Sequence, residues 1–346
     1  MAIKEFRYTI CPVGNASFLS ANREGFLYDA FRPLGIRPVL LQSLPRDRWL
    51  AHFTYQDPAL FREGGNVPPI WAKSNGTEVV LLGLTMHAQK TYILTRMDSP
   101  VDYVEELRHK KLALPTRPEY PVVDFFKSDA EHLFRSVLAA RGVGTAEVEF
   151  VEIPASESEI NITSDKTNHF GKAEADALEA GKVDAIVSSG VRALRLMLTG
   201  KFKTIFELGA HPGSISTVCG EYPHILTVSK QLADENPEVV VEYLKQTILA
   251  AEWAKTNLSG TLALFSKQLH ATPGEIVTAL PRDFYKHLTP GFSKEGLLAL
   301  EGQKKFLYDR GYIAKDFPIE KWVDESFLRA ALSDLGKNIS LPNVDG

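Results

Sequence analysis

Strand and helix signals alternate along almost the whole chain, and this alternation restricts the possible fold more than any other feature of the sequence. Short apolar or period-two stretches predict strands, and stretches with helix-capping residues follow most of them. The predicted strands cover residues 6–10, 39–43, 79–84, 91–96, 148–153, 183–187, 204–208 and 224–229. Such alternation is typical of an α/β fold with largely parallel sheets.

The length of the chain indicates how these elements are grouped. A chain of 346 residues is too long for one ordinary core, which favours two lobes. The middle section begins and ends near strands, and a helix-rich part follows it. We therefore expect a first lobe of residues 1–95 and 224–346, interrupted by an inserted second lobe of residues 96–223. The alternative is a single doubly wound domain.

Capping residues predict where two of the helices begin. Asn15 is a natural N-cap for a helix that starts at Ala16. Ser128 and Glu131 have the spacing of a capping box, which predicts a helix start at that point.

Composition and charge exclude several classes of protein. The chain has 39 Lys and Arg against 43 Asp and Glu, and this net charge of -4 argues against nucleic-acid binding. No apolar stretch is long enough to span a membrane, and charged residues interrupt the first segment where a leader would be apolar. We expect a cytoplasmic protein, or a periplasmic one if a leader was removed. Nothing indicates a membrane partner.

The two cysteines, Cys11 and Cys219, are too few for a disulfide framework or an all-cysteine metal site. Cys11 directly follows the first predicted strand, where open α/β sheets bind their ligands, and the helix start behind it favours a thiolate or a bound anion. On position alone, Cys11 is either a functional thiol or a small buried hydrophobe. Cys219 is predicted to be a packing residue.

Residues 52–65 contain a histidine, an arginine and a glycine pair. His52 has the chemistry to hydrogen-bond and tune a thiol. The guanidinium of Arg62 suits an oxyanion, and the glycine pair that includes Gly65 lets backbone N–H groups approach the same anion. Taken singly, Arg62 is more often a solvated surface charge, and the glycine pair is more often a turn. With Cys11 they suggest a thiol, an imidazole and an anion clamp.

The sequence contains few other motifs that indicate a metal, a cofactor or a catalytic nucleophile. The histidines show no metal-ligand spacing, and Gly142-Val143-Gly144 lacks the spacing of a dinucleotide loop, so no metal and no cofactor are predicted. Ser188 and Ser189 do not form a nucleophile elbow. They are candidates for contacting a ligand from the second lobe.

Two stretches resemble the 2'-hydroxybiphenyl-2-sulfinate desulfinase family. They are Cys11-Pro12-Val13-Gly14-Asn15-Ala16, in which Gly14 departs from the proline of the family, and His52-Phe53-Thr54-Tyr55 with the Pro58-Ala59, Arg62, Gly64-Gly65 and Pro68-Pro69 that follow it. Weaker similarity covers most of the chain, but residues 116–129 are shorter and divergent.

The resemblance implies a type II periplasmic-binding-protein-like fold of two lobes, shared with sulfonate, nitrate and taurine binding proteins. It also implies hydrolysis of an organic sulfinate to sulfite without a metal or organic cofactor. Cys11 would donate a proton or act as the nucleophile, and His52 would tune it. Arg62, the backbone N–H of Gly65 and the motif residue Asn15 would contact the substrate.

Two functions from different classes follow from this resemblance. The first is a desulfinase whose partner is a small anionic sulfinate, most simply as a monomer. The alternative is a solute-binding protein of an ABC transporter that takes up a sulfonate-like or other small anion. That alternative explains Arg62 and Gly65 but gives no reason for the thiol at Cys11.

Overall fold

The computed structural model describes residues 3–86, 89–117, 121–155, 171–208 and 223–336, and within them the predicted α/β fold is confirmed. Contacts divide the chain into two compact units. The first unit comprises Met1–His87, Tyr222–His270 and Asp283–Gly346. The second comprises Ala88–Glu221 and Ala271–Arg282. Cys219 and nearly all of the divergent connection over residues 155–169 lie outside the described residues.

Ten strands and thirteen α-helices are formed by the residues that the structure describes. The strands are β1 (Glu5–Ile10), β2 (Arg37–Leu40), β3 (Leu60–Gly64), β4 (Val79–Thr85), β5 (Thr91–Arg96), β6 (Lys111–Thr116), β7 (Glu149–Pro154), β8 (Ile186–Ser189), β9 (Phe202–Leu208) and β10 (His224–Ser229). The helices are α1 (Ala16–Asn22), α2 (Leu27–Phe31), α3 (Ala51–Thr54), α4 (Val67–Ser74), α5 (Phe125–Ala140), α6 (Lys172–Glu179), α7 (Gly190–Leu198), α8 (Lys230–Glu235), α9 (Pro237–Thr256), α10 (Leu258–Leu269), α11 (Pro273–Ala279), α12 (Lys294–Asp309) and α13 (Ser326–Asp334).

The sheets are mixed, so the expectation of largely parallel sheets was wrong. The first unit holds a five-stranded sheet of order β2-β1-β3-β10-β4, in which β1 is parallel to both its neighbours and β10 is antiparallel to both of its own. In the second unit, β5 is antiparallel to β8 and β9, while β6 and β7 are parallel. The chain reaches β10 only after traversing the second unit, so no direct strand–helix–strand crossover fixes its direction.

Two segments group differently from the predicted lobes. Strand β5, which the expected boundary at residue 95 would split, belongs wholly to the second unit because it is the central strand of that unit's three-stranded sheet. The predicted first lobe includes the segment Ala271–Arg282, but the contacts of this segment are with the second unit. Its helix α11 packs on α7, and the Glu275 carboxylate accepts a hydrogen bond of 2.7 Å from Arg195 Nε.

One of the two predicted helix starts is confirmed. Asn15 is the N-cap of α1, and its Oδ1 accepts a hydrogen bond of 3.0 Å from the backbone N–H of Phe18. The capping box at Ser128 was wrong, because α5 begins one turn earlier at Phe125. Its N-cap is Asp124, whose side chain accepts from the backbone N–H of Lys127.

A cluster of aromatic side chains packs on one face of the first unit's sheet. Phe6 and Phe61 point to this face from β1 and β3, and the ring of Phe61 stacks on that of Tyr243 from α9 at 4.0 Å. All three side chains are almost fully buried. The opposite face of β1 and β3 carries Thr9 and Arg62, which are described below. No helix within the described ranges is long and apolar enough to cross a bilayer.

Candidate active site

Strands β1 and β3 bring polar residues from two distant sequence segments to one face of the first sheet. The strands are parallel, and Thr9 is the direct partner of Arg62 in their register. Side chains alternate between faces along a strand, so Cys11 follows Thr9 and Gly64 follows Arg62 on the same face. The thiol and the guanidinium consequently meet at the carboxyl end of β1, as expected for a ligand site in an α/β sheet.

Cys11 lies at the centre of this group. Its Sγ is 3.4 Å from Nε2 of His52 and accepts a hydrogen bond of 3.5 Å from an Nη of Arg62. The side chain is partly exposed, whereas His52 and Arg62 are almost completely buried. The structure thus brings together the three residues that the sequence singled out as thiol, imidazole and anion clamp.

His52 is held from behind by a residue that the sequence reasoning missed. Its Nδ1 shares a hydrogen bond of 2.7 Å with the hydroxyl of Thr9, which is fully buried in β1. Burial lowers the pKa of His52 well below its ordinary value of 6.5, and the nearby Arg62 lowers it further. The imidazole is therefore neutral at neutral pH, and the hydroxyl of Thr9 holds the ring with Nε2 toward Cys11.

We expect Thr9→Val to lower the kcat of a reaction that depends on Cys11 by about 10- to 100-fold, because it leaves Nδ1 of a neutral histidine without its partner. Valine has the same branched shape and suits a strand, so the fold should be retained. The measurement is steady-state kinetics together with thermal unfolding. Thr95→Val, at another fully buried strand threonine in the second unit, is the control. Unchanged kcat in Thr9→Val would contradict the role of Thr9.

Arg62 is a buried cation with a fixed direction. One Nη donates to the carbonyl oxygen of Gly65 at 2.8 Å, while the other faces Cys11. Across the described residues, no carboxylate lies within salt-bridge distance of this guanidinium. A buried charge without a counter-charge favours an anionic ligand, because the anion would compensate its desolvation. The predicted role of the Gly65 N–H toward the same anion stays a prediction.

Gly64 is a second residue whose role the sequence did not show. A Cβ atom built at Gly64 would lie 2.1 Å from Sγ of Cys11 and 2.6 Å from its Cβ. No side chain fits this position unless Cys11 moves. Of the glycine pair, Gly64 therefore makes room for the thiol and Gly65 holds Arg62. The sequence signal at this position is the Gly-Gly pair beside the arginine, which predicts an anion-binding turn and not a space for the thiol.

The remaining candidates have structural contacts of their own. Asn15 is buried and caps α1 directly behind the cysteine turn. Ser188 and Ser189 end strand β8 of the second unit. There Ser188 accepts a hydrogen bond from Arg192, and Ser189 accepts one from Thr91. Their predicted contacts with substrate stay predictions.

Behind the site, Glu63 faces the apolar side of the same sheet. Its Oε2 accepts a hydrogen bond of 2.8 Å from the backbone N–H of Ser17 in the first turn of α1. The carboxyl group is almost completely buried near the ring of Tyr243, and this burial raises its pKa to about 7. Glu63 is thus a titrating group directly below the helix that follows Cys11.

Glu63 should make the protein more stable in mild acid. Its pKa of about 7 in the folded chain lies above the ordinary 4.5, so between these values the folded chain holds a proton that the unfolded chain has lost. The unfolding free energy therefore falls as pH rises through this window, by about 3 kcal/mol at most. Glu63→Gln should remove this loss in urea unfolding at about pH 5 and about pH 8. The surface variant Glu24→Gln should show the same fall in unfolding free energy as the wild type. If Glu63→Gln also shows that fall, Glu63 is not the group that causes it.

Among the described residues, no group of three or more His, Cys, Asp or Glu side chains could hold a metal ion. The side chains around Cys11 are instead an imidazole, a hydroxyl and a guanidinium. They are suited to proton transfer and anion binding.

Comparison with known proteins identifies the relatives of the chain. No family model matches it. The chain is 25% identical over 357 aligned positions to the 2'-hydroxybiphenyl-2-sulfinate desulfinases of Rhodococcus erythropolis and Rhodococcus qingshengii, with 94% of this chain and 93% of each relative covered.

Solved structures agree with this relationship. The desulfurization enzyme DszB matches with a TM-score of 0.77 at 23% identity, over 96% of this chain and 99% of that one. A variant of the same enzyme in complex with biphenyl-2-sulfinic acid also matches with a TM-score of 0.77, at 22% identity and over 96% and 100% of the two chains. A periplasmic sulfonate-binding protein from Methylobacillus flagellatus matches with a TM-score of 0.73 at 14% identity, over 99% of both chains. The chain is thus similar in sequence to the 2'-hydroxybiphenyl-2-sulfinate desulfinases, and its fold is the one that DszB shares with periplasmic sulfonate-binding proteins.

Proposed function

We propose that the chain is a hydrolytic desulfinase that cleaves the C–S bond of an organic sulfinate and releases sulfite. The single observation that carries this proposal is the position of the Cys11 thiol, within 3.5 Å of both a neutral imidazole and a buried guanidinium that has no carboxylate partner in the described chain. The similarity over 94% of the chain to curated desulfinases supports it.

The guanidinium of Arg62 binds the sulfinate oxygens in this proposal. Its orientation is fixed in advance by the Gly65 carbonyl, so little reorganisation is needed when the anion arrives. The N–H of Gly65 is proposed as a further donor to the sulfinate. Since Cys11 Sγ contacts the same guanidinium, a bound sulfinate lies next to the thiol.

The overall reaction adds water across the C–S bond. An aryl sulfinate anion and one water molecule give the arene and hydrogen sulfite, without any change that needs an external oxidant or reductant. The ipso carbon must gain a proton as the C–S bond breaks. This proton requirement is what the Cys11–His52–Thr9 group is placed to meet.

Two routes satisfy this balance. In the first, the Cys11 thiol donates its proton to the ipso carbon, sulfur dioxide leaves, and its hydration returns a proton to the thiolate. In the second, Cys11 attacks the sulfinate sulfur, the arene leaves with the thiol proton, and water hydrolyses the S–SO2 adduct. Mass spectrometry of rapidly quenched enzyme separates them, because only the second route leaves sulfur dioxide covalently attached to Cys11.

Sulfite release across a panel of sulfinates tests the function. We expect turnover of at least one of benzenesulfinate, biphenyl-2-sulfinate and methanesulfinate, with arene or alkane and sulfite formed in equal amounts. The preferred compound identifies the substrate class. The divergent residues 116–129 give a reason to include compounds other than the biphenyl.

Calorimetric binding on the same panel decides between the two classes of function. Tight binding of sulfinates or sulfonates without any sulfite release would contradict the desulfinase and establish the solute-binding alternative, which the fold match with the sulfonate-binding protein supports. Turnover with matched product amounts excludes that alternative as the main role.

A further inference from the structure

The turn that carries Cys11 is held by a side chain from a distant part of the sequence. Gln268, near the end of α10, donates from Nε2 to the carbonyl oxygen of Cys11 at 3.1 Å. Its Oε1 accepts a hydrogen bond of 3.0 Å from the backbone N–H of Gly14. One amide group thus bridges both ends of the turn between β1 and α1.

A glutamine suits this position for a chemical reason. The two ends of the turn present one acceptor and one donor, and a side-chain amide offers both groups at once, whereas a carboxylate only accepts and a lysine only donates. Gln268 is 6% exposed, so water is a poor substitute for either bond.

The same face of α10 shapes the turn by packing. Gly14 has a φ of +74°, and a Cβ there would lie 2.9 Å from the ring of Phe265, one helical turn before Gln268. Phe265 and Gln268 therefore lie on one helix face that rests against residues 11–14. This contact is independent of the two hydrogen bonds and fixes the same segment.

We propose that Gln268 is a positioning residue for the Cys11 thiol, a role that rests on the proposed desulfinase function. The backbone N–H of Cys11 is held by the carbonyl oxygen of Glu63 at 3.1 Å, and Gln268 holds the carbonyl at the other side of the same residue. Together they fix the direction of the side chain. The sulfur contacts of 3.4 and 3.5 Å are long, so a small rotation of the turn removes them.

Two substitutions separate the two hydrogen bonds. Gln268→Met fills the same space and removes both bonds, whereas Gln268→Glu keeps the acceptor for Gly14 N–H and loses only the donor to Cys11. We expect kcat to fall by about 10- to 100-fold in Gln268→Met with KM within about threefold, as for a misplaced reacting group. Gln268→Glu, which keeps the bond to Gly14 but releases the carbonyl of Cys11, should lower kcat by about tenfold.

Alkylation of Cys11 by iodoacetamide is the second measurement, and it needs no substrate. Peptide mass spectrometry distinguishes Cys11 from Cys219. Loss of the contact with Arg62 removes a charge that favours the thiolate, so the pH midpoint of Cys11 alkylation should rise by about one unit in Gln268→Met, the variant that adds no charge of its own. A role in folding alone would change the unfolding temperature without moving this midpoint.

The matched control is Gln246→Met, another buried glutamine, whose side chain donates to Glu242 within α9. It should leave kcat and the alkylation midpoint as in the wild type. An unchanged midpoint in Gln268→Met, with an unchanged kcat in both Gln268 variants, would overturn the inference. If the wild type releases no sulfite, the desulfinase function fails, and the alkylation profiles alone still decide whether Gln268 positions the thiol.

Discussion

Replacing Cys11 with serine should lower sulfite release by at least about 1,000-fold while the protein still folds and binds sulfinate. A hydroxyl is a far weaker acid and nucleophile than a thiol, so both routes through Cys11 fail. Serine is of similar size and keeps the turn that Gln268 holds. Arg62 remains, and it still binds the anion. The measurement combines steady-state sulfite release with calorimetric binding of the best substrate.

Cys219→Ser is the matched control for this prediction. We predict that this cysteine has only a packing role, so its replacement should leave kcat within about twofold of the wild type. If Cys11→Ser loses activity but still binds sulfinate, the thiol is required for the reaction and not for recognition of the anion. Wild-type turnover in Cys11→Ser would disprove a catalytic role for this thiol.

The position of Cys11 was predictable from the sequence for a simple geometric reason. Period-two alternation predicts that β1 ends at Ile10, and the carboxyl ends of parallel strands share one edge of a sheet. Strand β3, which brings Arg62 beside the thiol, is not among the predicted strands. Arg62 and His52 were grouped with Cys11 on their chemistry and on the family resemblance, and not on strand geometry. His52 reaches Cys11 from the short helix α3 that precedes β3.

The supporting residues were not predictable in this way. Gln268 reaches the cysteine turn across 257 residues of sequence, and a glutamine on an amphipathic helix carries no signal of such a contact. Thr9 is one of many threonines in strands, and its role depends on the ring of His52. The direction of β10 likewise depends on the path of the chain through the second unit, which local patterns do not encode.

Gly64→Ala should be the most damaging single-methyl change in the first unit. The new Cβ would lie 2.1 Å from Sγ of Cys11, and Gly64 is paired with Ile225 in the sheet, so the strand cannot easily retreat. The thiol is then displaced from Arg62 and His52. We expect kcat to fall by about 100-fold or more and the free energy of unfolding to fall by about 1–3 kcal/mol, measured by sulfite release and urea unfolding.

A double-mutant cycle distinguishes this clash from a general effect on β3. Cys11→Gly removes both atoms that the new methyl group would meet and leaves only the strain of alanine at a φ of +158°. Gly64→Ala should therefore cost less stability in that background than in the wild type, and the two substitutions should not be additive. Gly291→Ala is the control in the wild-type background, because a Cβ built there has no atom within 4 Å. An equal stability loss for Gly64→Ala in both backgrounds would contradict the clash. If the loss is smaller without the thiol, the glycine at residue 64 is required because it makes room for the sulfur of Cys11.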